Sequence, residues 1–127
     1  MSNLTLVNAG DLLDHLTGTA TYTPALPYTL ALVTVLGDAS TAGTEVVGGS
    51  YARQTVAFGA ESGGVAANTG TITFSDMPAV TVVGGELYDN AGVRRFTGPF
   101  SANITVNAGD DLVLDAGDLT LTVLAFA

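Results

Sequence analysis

Strict two-residue alternation near the end of this chain constrains its fold more than any other feature. Phe100, Ala102, Ile104 and Val106 fall on one side of an extended backbone, and Ser101, Asn103, Thr105 and Asn107 fall on the other. Successive side chains of a strand point to opposite faces, whereas a helix would scatter this pattern around its circumference. Leu119, Leu121 and Val123 repeat it against Thr120 and Thr122. Between the two runs lies Leu112 to Leu114, flanked by near-identical turns, Asn107-Ala108-Gly109-Asp110 and Asp115-Ala116-Gly117-Asp118. Asn, Asp and Gly supply the local hydrogen bonds and positive φ that tight turns need.

The same reading extends backwards. Tyr28 to Leu36 is apolar on both faces, as in a strand covered on both sides. Tyr51 to Phe58, Thr71 to Ser75 and Ala79 to Tyr88 read as further strands, the last bent at Gly84-Gly85, with Ile72 and Phe74 sharing one face. Asp89-Asn90-Ala91-Gly92 is a turn, and the Gly/Ser/Thr-rich stretch Asp38 to Ser50 is an exposed loop. One short helix is expected near residues 11–17, capped by Asn8 or Asp11 and ended by Gly18. Leu12, Leu13 and Leu16 form its apolar stripe, which must pack on something, because so short a helix is marginal alone. Seven or eight short strands point to a mostly β fold, a compact β-sandwich or jelly-roll-like barrel, and leave the strand order open. With 127 residues, one domain over 1–127 is expected, its strands running from 28 to 126.

Charge narrows the function. The chain has no lysine, and Arg53, Arg94 and Arg95 stand against twelve carboxylates, for a net charge of −9. Nucleic acid and anionic lipid call for Lys or Arg contacts, so both are unexpected partners. Only 12% of residues are charged while 47% are hydrophobic, so part of the surface is expected to be covered by other protein. No run approaches the roughly 20 apolar residues of a membrane helix, and Met1 to Gly10 has no feature of a targeting signal.

Residues that could carry chemistry are few. His15 is the only histidine and there is no cysteine, which removes His-pair catalysis, thiolate metal sites and disulfides. His15 reads as structural. No serine sits in a nucleophile-elbow pattern, and the glycine pairs lack the spacing of a phosphate loop. Asp110, Asp111, Asp115 and Asp118 could gather around calcium, yet their spacing fits no EF-hand. Glu45, Glu61 and Glu86 lie in Gly-rich segments, and a sugar would find no tryptophan to stack on. No enzymatic activity and no cofactor are expected. Arg94 and Arg95 follow a turn, so one of them should point outward. They either bridge to an acidic neighbouring subunit or pair locally with Asp89 or Glu86. The apolar end, including Leu124 and Phe126, either completes the chain's own sheet or docks on a neighbour.

The order of segments resembles a known family. Asp11 to Leu16 precedes the strand around Tyr28-Thr29-Leu30-Ala31-Leu32, followed by Gly49-Ser50-Tyr51-Ala52-Arg53-Gln54 and Asn68-Thr69-Gly70-Thr71-Ile72-Thr73-Phe74. Leu87-Tyr88-Asp89-Asn90-Ala91-Gly92 and Ala116-Gly117-Asp118-Leu119-Thr120-Leu121 complete the succession. It is similar to small virion proteins of tailed bacteriophages, which are labelled tail fibre proteins and sometimes minor capsid or decoration proteins. Members usually carry an aromatic segment with Trp-Gly and a Thr-His pair before the Tyr-Asp turn. Here that stretch reads Thr81-Val82-Val83-Gly84-Gly85-Glu86, so no function of that segment carries over. The resemblance implies a non-enzymatic virion protein. The expected form is a capsid decoration (cement) protein on the head surface, with the major capsid protein and copies of itself, as a trimer, for partners. The alternative is a tail fibre or baseplate component that binds a host receptor.

Overall fold

The computed structural model describes residues 3–123. Its ten strands are β1 (Asn3–Leu4), β2 (Tyr28–Val35), β3 (Thr44–Glu45), β4 (Gln54–Val56), β5 (Val65–Ala67), β6 (Ile72–Phe74), β7 (Val80–Tyr88), β8 (Arg94–Val106), β9 (Leu112–Leu114) and β10 (Thr120–Thr122). One helix, α1 (Leu6–Thr17), lies between β1 and β2. The fold is mostly β, as the alternation requires, and sandwich-like.

A six-stranded antiparallel sheet runs β1-β8-β7-β2, and β3 and β4 share the remaining edge of β2. This explains why β2 is apolar throughout. Leu30, paired with Leu87, faces the core together with Leu32, while Ala31, paired with Glu86, lies on the opposite face, and all three of these β2 residues are buried. Two small antiparallel pairs, β6–β9 and β5–β10, oppose the large sheet. They contribute Ile72, Phe74, Leu112, Leu114 and Leu121 to one core that also holds Leu30, Leu32, Val82 and Leu87. Val113 between two buried leucines is exposed, which is the period-two pattern of a strand covered on one face.

The two near-identical turns are held in different ways. Asn68 is buried, and its side chain makes four hydrogen bonds: Oδ1 accepts from Gly117 N (3.1 Å) and Leu119 N (2.9 Å), and Nδ2 donates to Gly70 O (2.8 Å) and Asp115 O (3.0 Å). Such full satisfaction is what makes a buried amide tolerable. The other turn is tied to Met77, whose N–H donates to Asp110 O and whose carbonyl accepts from Gly109 N, both at 2.8 Å.

Several boundaries differ from expectation. The helix begins at Leu6, ahead of the expected caps Asn8 and Asp11, because Thr5 caps it by accepting from Asn8 N at 3.3 Å. Gly18 closes the helix in the left-handed conformation, as expected (φ 76°). The expected loop Asp38 to Ser50 contains β3, the Tyr51 to Phe58 strand narrows to β4, and the Gly63-Gly64 turn leads directly into β5. The bend at Gly84-Gly85 is a register shift between Val82 and Gly84 in the β7–β8 ladder.

Gly84 is required there. A Cβ at this position would run into Gly98 O and come within 2.7 Å of Leu36 Cδ2, whereas one at Gly70 would meet open space. Gly84→Ala is expected to cost about 1–3 kcal/mol, as overpacking does, and Gly70→Ala to stay within about 0.5 kcal/mol. Urea unfolding of both variants measures the contrast.

Candidate functional site

All three arginines are engaged within the chain, and their partners organise one face of the large sheet. Glu86 stands opposite Thr97 in the ladder, so the two share a face. With 2% of its area exposed, Glu86 would be an unpaired buried charge if nothing met it. Its Oε2 accepts from Arg94 Nη1 (3.1 Å), Thr97 Oγ1 (3.1 Å) and Gly43 N (3.0 Å). The carboxylate thereby draws the loop before β3 onto the sheet.

Arg95 joins three segments. Its Nε donates to Asp89 Oδ2 at 2.9 Å, its Nη1 donates to Asp11 Oδ2 on the helix, and its guanidinium carbon lies 4.9 Å from the centre of the Tyr22 ring. Its backbone carbonyl accepts from Thr5 N (3.1 Å) and Asn8 Nδ2 (2.9 Å). Burial alone would raise the Asp89 carboxyl, but Val93 N–H, Arg95 and Ala91 N–H donate to it and hold it below the usual range. The sequence left open whether these arginines bridge to a neighbour or pair locally. The structure gives local pairs, Arg94 with Glu86 and Arg95 with Asp89. The expectation that one points outward is corrected: the side chains are only 11% and 9% exposed. A bulge between Leu87 and Tyr88 in the β7–β8 pairing breaks the simple alternation that would have turned one out.

Arg53 belongs to the Tyr-Ala-Arg segment. It forks onto Glu45 of β3, Nε to Oε2 at 3.0 Å and Nη2 to Oε1 at 2.9 Å, and stacks 4.0 Å over Tyr88. Tyr51 donates its hydroxyl to Glu45 Oε2 (2.7 Å), accepts from Leu32 N (2.9 Å), and stacks on Phe74. The fork from Arg53, assisted by Tyr51, holds the Glu45 carboxyl low against the opposing effect of burial. The motif is a clamp that fastens β3 and the segment before β4 to the edge of β2.

The other candidates resolve into structural roles. Asp111 and Asp118 accept from the backbone N–H groups of Asp76 and Asp115. Among the described residues no group of three His, Cys, Asp or Glu side chains is placed to hold a metal ion. His15 Nδ1 accepts from Tyr22 N at 3.2 Å and so fixes the segment after the helix. The groove bordered by Phe100, Ile104, Leu114 and Leu119, about 370 Å³, has one titratable lining residue, Asp118. Leu124 and Phe126 lie outside the described residues.

The helix holds the most unusual surface. Asn8 and Asp11 make its side-chain hydrogen bonds to the body, while Leu6, Leu13 and Leu16 are 65%, 61% and 73% exposed. The expected packing of the stripe Leu12, Leu13 and Leu16 onto the body is corrected in part: Leu12 is half-buried, while Leu13 and Leu16 face out. Nothing in the local pattern signals that Asp11 meets an arginine 84 positions away.

The family model described as Podophage GP4 fiber I protein gp80 matches residues 3–122. The chain belongs to this family of tailed-phage virion proteins. The match takes in α1, all ten strands and all three arginines. No curated protein matches the chain.

Two predictions test the charged cluster. Arg95→Ala leaves Asp89 buried without its cation and is expected to cost about 3–5 kcal/mol. Arg53→Ala, at a half-exposed pair, is expected to cost about 1 kcal/mol or less. Denaturant melts compare them directly. Because the carboxyls of Asp89 and Glu45 are held below their ordinary values, the unfolded chain takes up protons that the folded one does not. Their contribution is thus full above the ordinary carboxylate range and falls as pH drops below about 4. The urea midpoint should decline from pH 6 to pH 3, less steeply in Asp89→Asn.

Proposed function

We propose that the protein is a non-enzymatic structural subunit of the phage fibre, working by contact between copies of itself and with other virion proteins. The observation that carries this reading is the family match over residues 3–122, whose description names a fibre. The site geometry agrees. The charged groups that could serve chemistry are spent on holding segments together, Arg95 to Asp11 and Asp89, Arg94 to Glu86, and Arg53 to Glu45. A net charge of −9 with every arginine paired internally offers nothing to phosphate, which speaks against nucleic acid or an anionic membrane as partner.

Head decoration is the second reading. The described chain is compact and has neither the repeats nor the long heptad runs of an extended shaft, which suits a small trimeric clamp across capsomers with the major capsid protein beneath it. Cryo-electron microscopy of the virion that carries this chain separates the two. Density of this size on the tail-associated fibres supports the fibre subunit. Regular copies on the head lattice replace that reading with decoration, and a particle without the protein overturns both.

A further inference from the structure

Along β8 the large sheet and the small strand pairs are not closed against each other. Phe96, Phe100 and Ile104 are only partly buried against the core. Phe96 shares a cleft of about 390 Å³ with Ala66, Leu121 and Val123, and Phe100 and Ile104 share the groove described above with Leu119. The strands β8 and β10 thus run in opposite senses on either side of one trough, and no ladder joins them. We infer that the part of the trough beside Phe96 is closed by the segment that follows β10 in the same chain, Leu124-Ala125-Phe126, with Phe126 seated between Phe96 and Leu121.

The alternation of β10 is the first argument. Leu119 and Leu121 are buried while Thr120 and Thr122 are exposed. A straight continuation of the strand would carry Leu124 and Phe126 onto the threonine side, into water. The pattern slips by one residue where Leu124 follows Val123 directly, and a slip of one exchanges the two faces. A turn at that point brings both apolar side chains to the side that holds Leu121.

Position, room and charge agree with this seat. Val123 is the last described residue and already forms part of the cleft wall. The three residues after it can span about 10 Å, roughly twice the distance between neighbouring strands. Gly64 and Ala66 line the same cleft and, lacking bulk, leave the room that a phenyl ring takes. Glu61 is the titratable residue among those lining it, and Leu119 to Phe126 carries no charged side chain, so the segment meets no repulsion there. A second copy would bring a charge of −9 against −9. The chain's own segment is also held at an effective concentration in the millimolar range, which a separate molecule must reach in solution. Phe96 is the residue that Leu4 of β1 pairs with, so the seated ring would lie beside the contact that fastens the start of the described chain. The inference holds for a fibre subunit and a decoration protein alike.

Nuclear Overhauser spectroscopy of the full wild-type chain tests it. The ring protons of Phe126 should show cross-peaks to the methyl groups of Leu121 and to the ring of Phe96. In a mixture of isotope-labelled and unlabelled chains, a filtered experiment should find none of these cross-peaks between molecules. Phe126→Ala should lower the urea midpoint by about 0.5 M or more, as loss of a buried aromatic side chain does, whereas Val113→Ala, at an exposed residue of β9, should leave it nearly unchanged. Cross-peaks that appear only between molecules would assign the cleft to a second copy and overturn the inference. Absence of any cross-peak from Phe126 to these residues, or a Phe126→Ala midpoint equal to that of the wild type, would overturn it as well.

Discussion

The ion pairs of Arg94 and Arg95 fix the helix, the Asp89 turn and the loop before β3 against the large sheet. Adjacent on β8, these residues reach in different directions, Arg94 to Glu86 beside the loop before β3, Arg95 to Asp89 at the turn and to Asp11 on the helix. Buried charges are tolerated only when paired and fully bonded, and here each carboxylate is met by backbone or hydroxyl donors as well as by a guanidinium. Asp89 also accepts from Ala91 N and Val93 N, and Glu86 from Gly43 N and Thr97. The cluster works as a fixed geometry, in which hydrogen bonds specify which segment may lie where. Apolar contact alone would not, since it is non-directional.

The inverted helix follows from that cluster. The sites on the body that receive α1 are a guanidinium and a backbone carbonyl, both polar, and they can be satisfied only by side chains such as Asp11 and Asn8. With those two committed inward, the 3.6-residue period leaves Leu6, Leu13 and Leu16 exposed. An amphipathic sequence is ordinarily read with its apolar stripe toward the core, and the leucines do form a stripe here. The periodicity was legible. Its direction depended on a partner 84 residues distant, which no local pattern contains.

The same division runs through the rest of the fold. Strands whose pattern is set by burial on one face were legible: Leu112 and Leu114 about an exposed Val113, Ile72 and Phe74 about Thr73, Leu119 and Leu121 about Thr120. The Asp89 turn and its nearby arginine partners were legible too, because they lie within eight residues of one another. What was hidden depends on long-range bonds between short segments. Two-residue β3 exists because Glu45 is clamped by Arg53 and paired with Val33, and Asn68 earns its buried place only through a turn almost fifty residues later. Glu86 in the stretch Thr81 to Glu86 shows the same limit. Its carboxylate anchors a loop, a role its Gly-rich neighbourhood did not suggest.

A chain that pairs its cations internally presents an acidic or neutral surface, which basic groups or apolar contact of a partner can meet. With Arg94 and Arg95 buried and Arg53 held in its fork, the outer surface is acidic or neutral, and electrostatics would keep copies apart. Apolar contact is effective only where carboxylates are absent. The outer face of α1 meets that condition, and it does so because Asp11 is drawn inward by Arg95. One ion pair thus both fastens the helix to the sheet and clears its outer face of charge.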